Sequence, residues 1–287
     1  MTYERTYEME PDAPPAEAWE DYERRATTLW RELLSSPDLH EDRYQAFLED
    51  NPAFVPGAHG LSLTSGHVPI RAGVFAKPVL PGYSAKQPDM MWIATDSVEI
   101  TPILLEIERP SKKWLTAAGV PRGEFTQARN QLTDWREWFA KPHNQLLFRE
   151  GFHLDRPPES SKPLRPFYVL VYGRRDDIKD AAYKRAADRR PDEEVMTFDR
   201  FSPSRDQADY LCIRLRQGHV SVVTFPSTGR IGPNIAPEWV GIGGFEQAIE
   251  RSSAISLQRK AFLRRRIPYW LQWAQERRGI TFTSDWE

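Results

Sequence analysis

The chain has 287 residues with 39 basic and 41 acidic side chains, so its formal net charge is −2. This balance excludes a uniformly basic protein of the kind that coats nucleic acid. Hydrophobic residues make up 40% of the chain and aromatic residues 12%, a composition typical of a folded chain that needs no disulfide or metal crosslinks. The single cysteine, Cys212, stands in the apolar run YLCIRL, and we expect it to pack in a core.

Two features bear on the location of the protein. No apolar run approaches the roughly 18 residues that a membrane-spanning helix needs. The acidic beginning, MTYERTYEMEPD, lacks the apolar segment of a signal peptide. We therefore expect a cytoplasmic protein without a membrane span.

Charge is distributed unevenly along the chain. Residues 1–50 carry five basic and fourteen acidic side chains, whereas residues 251–287 carry eight and three. A polyanionic partner is expected to contact the middle or the end of the chain, although two solvated helix faces would give the same counts. We divide the chain into an acidic helical segment (1–50), a core (51–201) and a basic C-terminal extension (202–287).

Hydrophobic spacing predicts the elements of the first part of the chain. Apolar residues three and four apart predict a helix from residue 16 to about residue 34, with Ser36 or Asp38 as the cap of a second, short helix through YQAFLED. Glycine and proline among short apolar runs in 53–86 predict a loop and short strands such as VPIRAGVFA. The segment QPDMMWIATDSVEITPILLEIERP has two apolar strands about a polar turn at Asp96-Ser97, which predicts a hairpin.

Helices and strands follow one another in the rest of the chain. In EFTQARNQLTDWREWFAK the apolar residues recur on one helical stripe. The strand PFYVLVYG, the helix DDIKDAAYKRAADRR and the strand VMTFD predict a parallel strand pair. Beyond Phe201 we expect the strands ADYLCIRLRQ and HVSVVTFP, a turn at GIGG and a terminal helix kinked or broken at Pro268. These elements predict an α/β fold with a mixed β-sheet flanked by helices, a helical N-terminal segment and an α+β C-terminal extension.

Three carboxylates lie on the predicted hairpin. Folding it about its turn brings together residues whose numbers add to roughly 193–195, which places Asp89 within a residue or two of Glu106. Side-chain alternation puts Glu106 and Glu108 on one face and Ile107 on the other. Such a cluster is repulsive unless a divalent cation binds its oxygens, and Mg²⁺ suits it best. The alternative is a solvated hairpin whose acids pair with basic neighbours, namely Arg109, Lys112 and Lys113.

These residues carry a resemblance. Pro88-Asp89 followed by Glu106-Ile107-Glu108 resembles the PD-(D/E)XK nuclease signature, with Glu108 in place of the usual lysine. The order of EIERPSKKW, QLTDW, a strand ending in YGRR and a strand ending in TFDR is similar to that of the Shedu family of anti-phage nucleases, and AFLEDNPAFV resembles the helix before that family's core. The resemblance covers about residues 40–201. It implies a restriction-endonuclease-like core.

The resemblance also implies a function. It is that of a DNA endonuclease, dependent on Mg²⁺ or Mn²⁺, which cuts or nicks DNA in prokaryotic anti-phage defence. Asp89 and Glu106 would be metal ligands, helped by the backbone carbonyl of Ile107. Glu108 would act as a base, a water anchor or a ligand to a second metal, and Gln131 would bond the metal-bound water. A homo-oligomer and a phage-derived trigger are also expected.

Basic residues elsewhere have two interpretations each. Lys112 and Lys113 could supply positive charge to the DNA or form an ordinary exposed pair. Arg174 and Arg175, after a predicted strand, could contact phosphate or form salt bridges with the neighbouring acids Asp176 and Asp177. The terminal segment RKAFLRRRIPYWLQWAQERR could follow a DNA backbone. Alternatively, its aromatic residues could pack in the core while its arginines form the solvent-exposed face.

Two further alternatives stay open. Glu49, on the upstream helix, could complete the metal shell or be an exposed helix acid. The whole chain could also be a catalytically inactive nuclease-fold module that binds DNA or a phage protein, since Glu108 replaces a catalytic lysine.

Overall fold

A computed structural model describes residues 6–36, 40–57, 59, 61, 67–82, 87–178, 190–226, 228–277 and 285–287. Most of the predicted helix DDIKDAAYKRAADRR, from residue 179 to residue 189, lies outside the described residues.

The centre of the fold is a mixed sheet of eight strands. In chain order these are β1 Val68–Pro69, β2 Gly73–Ala76, β3 Met90–Thr95, β4 Ile100–Ile107, β5 Phe167–Val171, β6 Glu193–Met196, β7 Leu211–Arg216 and β8 His219–Thr224. Their order across the sheet is β6-β5-β4-β3-β2-β7-β8, and β1 also pairs with β3. The pairs β4–β5, β5–β6 and β2–β7 are parallel, and the others are antiparallel.

Helices pack on both faces of the sheet. They are α1 Trp19–Ser35, α2 Glu41–Asp50, α3 Gly123–Phe139, α4 Pro142–Gly151, α5 Ala236–Trp239, α6 Phe245–Arg251 and α7 Leu257–Arg277. Short 3-10 turns lie at Pro52–Phe54, Ile70–Ala72, Glu159–Ser161, Arg175–Asp177, Phe198–Arg200 and Arg205–Gln207. The predicted mixed sheet flanked by helices is confirmed.

Side-chain alternation along β4 separates two cores. Leu104 belongs to the core that contains the buried stripes of α3 and α4 and the residues of α5 to α7. Ile103 and Leu105 belong to the core formed with α1 and α2. Even-numbered residues of β4, among them Glu106, therefore share the α3 face of the sheet.

The hairpin forms as predicted. Its register pairs Met90 with Leu105 and Thr95 with Ile100, so paired residue numbers add to 195. The predicted parallel pairing of β5 with β6 is also confirmed, and Cys212 is fully buried and unbridged.

Several local expectations were wrong. The cap of α2 is His40, while Ser36 ends α1 instead. The terminal helix α7 continues through Pro268, so the predicted break is wrong and a kink there stays a prediction; its apolar side, including Phe262 and Ile267, packs on the core, which compensates for the backbone bond that proline removes. The helix α4 has no counterpart among the predicted elements.

The sheet crosses the predicted boundary between core and extension. Strands β7 and β8 come from residues 202–287, yet β7 pairs with β2 through Gly73 and Leu211. The first part of the extension is therefore built into the same sheet as the predicted core. Within the described ranges, no helix combines the length and the apolar character needed to cross a bilayer.

Candidate active site

A row of three polar residues lies where β2, β3 and β4 meet at one end of the sheet. Ala76 pairs with Met90, and Met90 pairs with Leu105. One step further the same registers bring Lys77, Asp89 and Glu106 side by side. We call these three residues and Glu108 the acid edge.

Asp89 is anchored on both sides of its carboxylate. Its Oδ2 atom accepts the backbone N–H of Ile107 at 2.7 Å, and its Oδ1 atom accepts the ammonium of Lys77. The residue is only 5% exposed. Burial raises the pKa of Asp89 above its ordinary value, while the Lys77 ammonium and the Ile107 N–H act in the opposite direction.

Glu106 is the member of the acid edge with a buried oxygen that no hydrogen bond stabilises. Its Oε2 atom is buried and has no hydrogen-bond partner among the described residues. Burial, reinforced by the neighbouring charges of Asp89 and Glu108, raises the pKa of Glu106 to about 9. A buried oxygen of this kind, beside other carboxylates, has the electrostatic environment that a cation stabilises.

Glu108 lies on the same face as Glu106 but has a different partner. Its backbone N–H donates to Val171 of β5 at 3.0 Å, and its carboxylate forms an ion pair with Lys112. A turn in which the Lys112 N–H donates to the carbonyl of Arg109 brings that lysine back to the strand end. The alternative in which an acid pairs with a basic neighbour therefore holds for Glu108.

The three carboxylates predicted to converge on one point do not form a preassembled metal site in the described residues. Across the part of the chain that the structure describes, no three side chains of His, Cys, Asp or Glu form a group that could hold a metal ion. The three acids are electrostatic neighbours all the same, because Asp89 and Glu108 both act on the pKa of Glu106. Two of these acids form ion pairs with lysines instead, Asp89 with Lys77 and Glu108 with Lys112.

The helix α2 contributes two residues that sequence reasoning missed. Glu41, in its first turn, has a pKa raised by burial and then by the charges of Asp89 and Glu108. One turn further, Gln45 donates to the backbone carbonyl of Asp89 at 3.3 Å. Their spacing of four residues places both on one helical stripe, the single signal in the sequence that could have indicated them.

Glu49 follows the same stripe but turns to other partners. It accepts a hydrogen bond from Gln45 at 2.9 Å and forms an ion pair with Arg214 at 3.4 Å. Glu49 therefore bridges α2 and β7 and is not an exposed helix acid, while its role in a metal shell stays a prediction.

Gln131 is half-buried on α3, one position before the buried Leu132. In the described residues no hydrogen bond joins its side chain to the acid edge, so its role at a metal-bound water stays a prediction.

The predicted phosphate-binding arginines have separate surroundings. Arg174 forms an ion pair with Asp199 at 2.7 Å and donates to the carbonyl of Leu34 at 3.2 Å, so among the described residues its salt bridge is with Asp199 and not with Asp176 or Asp177. The side chain of Arg175 is exposed, and that of Lys113 is exposed as well. DNA contact by Lys112, Lys113, Arg174 and Arg175 stays a prediction.

The basic terminal helix has buried as well as exposed arginines. Its aromatic residues Trp270 and Trp273 belong to the core, as the simpler interpretation predicted. Arg259 and Arg266 are buried too, which that interpretation did not foresee. Arg259 donates to the carbonyls of Gly229 and Pro14, so it ties α7 to the N-terminal segment.

Together the fold and the acid edge define an α/β protein with a mixed eight-stranded sheet, in which a hairpin end carries buried carboxylates. Residues 38–202 match the family model described as Shedu protein SduA, C-terminal. Because this match covers more than half of the chain, the protein belongs to the Shedu family. Membership implies a role in anti-phage defence.

The matched region begins just before α2 and ends after β6, so it contains the whole acid edge. It agrees closely with the span of about residues 40–201 over which the sequence resembled that family. No curated protein matches the chain.

Proposed function

We propose that this protein is a metal-dependent DNA endonuclease that nicks or cuts phosphodiester bonds in anti-phage defence. The observation that carries the proposal is the buried, unpartnered Oε2 atom of Glu106 beside the carboxylates of Asp89 and Glu108. DNA as substrate, Mg²⁺ or Mn²⁺ as cofactor, a homo-oligomeric assembly, a cytoplasmic location and a phage-derived trigger belong to the same proposal.

The donor set of the acid edge fits Mg²⁺. This ion binds through one or two carboxylates and keeps several waters, so it does not need a cage of three acids. Glu106 offers an unpaired oxygen, and Asp89 offers the second lone pair of Oδ1. Asp89 and Glu106 would hold the ion, with the backbone carbonyl of Ile107.

The residues of the edge have distinct roles in this proposal. Bound Mg²⁺ would supply Lewis-acid chemistry, polarising the scissile phosphate and lowering the pKa of a coordinated water. Glu108 accepts the proton of the attacking water, and Gln131 orients that water. Lys112, already at the carboxylate of Glu108, adds positive charge beside the phosphate.

A second function has an observation in its favour. The lysine pairs Lys77–Asp89 and Lys112–Glu108 satisfy two of the three acids without any metal. This arrangement favours a nuclease-fold module that binds DNA or a phage protein without cleaving. The two functions make opposite predictions about the effect of divalent ions on plasmid DNA.

The test compares the wild type with two variants on supercoiled plasmid, in Mg²⁺, in Mn²⁺ and in EDTA. Glu106→Gln preserves the side-chain shape and removes the carboxylate that a bound cation would need, so nicking should fall by about 100-fold or more. Glu137→Gln, on the exposed side of α3, is the matched control and should nick as the wild type does. Band shifts without cleavage in every divalent ion would support the non-cleaving module instead.

A further inference from the structure

We propose that Lys77 is the phosphate-contacting residue of the acid edge. Its ammonium would leave Asp89 when a divalent cation binds there and would then contact the scissile phosphate of the DNA. This inference rests on the proposed endonuclease function and extends it, because it assigns a residue that lies outside the Asp89, Glu106 and Glu108 pattern.

The position of Lys77 follows from the strand register. Since Ala76 pairs with Met90, Lys77 stands beside Asp89 at the end of β2, and its backbone N–H donates to the carbonyl of Asp89 at 2.9 Å. Lys77, Asp89 and Glu106 thus form one row across three adjacent strands. The Lys77 ammonium therefore lies directly beside the carboxylates of this row.

The backbone at Lys77 is unusual. Its φ angle of 46° lies in the left-handed region, which residues other than glycine rarely adopt. Such conformations carry a cost and persist where the surrounding structure fixes them, often at functional positions. A glycine would adopt this conformation without strain but could not reach the Asp89 carboxylate.

The exposure of the two partners differs in a useful way. The Lys77 side chain is 40% exposed, whereas that of Asp89 is 7% exposed. The ammonium therefore contacts the buried acid on one side and solvent on the other. A phosphate arriving from solvent can reach it without movement of β2.

The acidic surroundings of the site explain why DNA binding there needs a positively charged side chain such as that of Lys77. The carboxylates of Asp89 and Glu108, with Glu41 nearby, would repel a DNA phosphate. Phosphodiester cleavage also adds negative charge at the phosphate as it proceeds, which a neighbouring positive group stabilises. Lys112 is already engaged with Glu108 and is less exposed than Lys77.

The first measurement is DNA binding by the full chain in Ca²⁺, with a short fluorescent duplex at several salt concentrations. Each phosphate contact contributes about 0.9 to the slope of log affinity against log salt. Lys77→Met should make that negative slope shallower by about 0.9, whereas Lys77→Arg should leave it unchanged. Lys141→Met, at an exposed lysine before α4, is the matched control and should bind as the wild type does.

The second measurement is nicking, with chemical rescue. Lys77→Met should nick about 100-fold more slowly than the wild type when both are assayed well below their melting temperatures. Lys77→Cys, alkylated with 2-bromoethylamine, regains an amine of nearly the original length and should recover nicking. The alkylation is selective, because the other cysteine, Cys212, is fully buried. Wild-type protein treated with the reagent is the control.

The outcomes separate the two proposals. A shallower dependence of DNA affinity on salt for Lys77→Met supports the phosphate contact, even if the wild type never nicks DNA and the endonuclease proposal fails. An unchanged slope together with unchanged nicking overturns the role of Lys77 and leaves the endonuclease intact. Faster nicking by Lys77→Met would also overturn it, because Lys77 would then only block Asp89. Absence of DNA binding by the wild type overturns both.

Discussion

The carboxylate of Asp89 accepts the backbone N–H of Ile107 at 2.7 Å, across a hairpin that separates the two residues by 18 positions. The same carboxylate holds the ammonium of Lys77. One side chain therefore closes the open end of β3 and β4 and also fixes a lysine from β2. Stability and proposed chemistry depend on the same residue, and variants of Asp89 should separate the two.

Asp89→Asn and Asp89→Ala should differ in stability but not in activity. Asparagine retains an acceptor for the Ile107 N–H, whereas alanine leaves that buried donor unpaired. We expect Asp89→Ala to lower the free energy of unfolding by about 1–3 kcal/mol more than Asp89→Asn. Both should lose metal-dependent nicking. Urea denaturation and the plasmid assay measure the two effects, and equal stability of the variants would show that the Ile107 contact is unimportant.

The hairpin could be predicted because it is local. Two apolar runs about one polar turn indicate its register, so the proximity of Asp89 and Glu106 followed directly from the sequence. The lysine that pairs with Asp89 could not be found in this way. Lys77 lies in a stretch of glycine and proline residues, and only the pairing of β2 with β3 places it in the row.

Contacts of the helices were harder still. The four-residue spacing of Glu41 and Gln45 puts them on one stripe of α2 but does not show that this stripe lies over the sheet end, because the packing of a helix on a sheet depends on both partners. The buried Arg259 is a similar case. An arginine in a basic run is usually solvated, and this one is buried because three separate chain segments direct backbone carbonyls at it, those of Pro14, Gly229 and Glu287.

Glu41 and Glu49 should respond differently to neutralisation. Glu41 belongs electrostatically to the acid edge. Glu41→Gln removes one nearby negative charge, so it should raise the Mg²⁺ concentration needed for half-maximal nicking by about 3- to 10-fold. Glu49→Gln removes the ion pair with Arg214 but keeps an oxygen that can accept the hydrogen bond of Gln45, so it should leave that concentration unchanged. A Mg²⁺ titration of nicking decides between them, and the reverse ranking would place Glu49 at the metal.

Gly173 allows a test of how the Lys112 turn is held. A Cβ atom at Gly173 would lie 2.6 Å from both the carbonyl oxygen of Lys112 and the indole nitrogen of Trp114. Gly119 also has a positive φ, but a Cβ there meets nothing within 4 Å. Gly119→Ala should therefore cost about 1 kcal/mol of unfolding free energy from backbone strain alone.

Gly173→Ala has that strain and a clash with backbone, so we expect an additional loss of about 1–3 kcal/mol. It should also slow nicking, because the turn that presents Lys112 must shift. Denaturant unfolding and the plasmid assay, run on both alanine variants, give the comparison. Equal losses of stability would mean that the turn adapts to the extra methyl group without resistance.

Asp209 should make stability depend on pH. Its Oδ1 atom is buried without a hydrogen-bond partner in the described ranges, and burial raises the pKa of Asp209 despite Arg230 and Thr228. A raised pKa in the folded state favours folding while the group is protonated, and this contribution is lost as pH rises through the raised value. Asp209→Asn cannot ionise, so its stability relative to the wild type should rise as the pH increases above about 4, the ordinary range of an aspartate carboxyl. Unfolding curves over this range provide the measurement, with the exposed Asp206→Asn as control.

The buried pair of Arg266 and Glu287 should be the most sensitive ion pair of the C-terminal extension. Arg266 is 6% exposed in its side chain, and its Nε atom donates to Glu287 at 2.5 Å. The same carboxylate accepts the indole N–H of Trp270 at 2.9 Å. Removal of one charge leaves the other buried and unpaired, so Arg266→Met should lower the free energy of unfolding by about 3–5 kcal/mol.

Arg265 provides the matched comparison, because its side chain is 65% exposed and pairs with Glu10 at the surface. Arg265→Met should cost less than about 1 kcal/mol. The double variant Arg266→Met with Glu287→Met removes both buried charges and should recover part of the loss. Chemical denaturation of all three variants gives the values. A double variant that is less stable than Arg266→Met alone would mean that the carboxylate contributes mainly through Trp270 and not through the arginine.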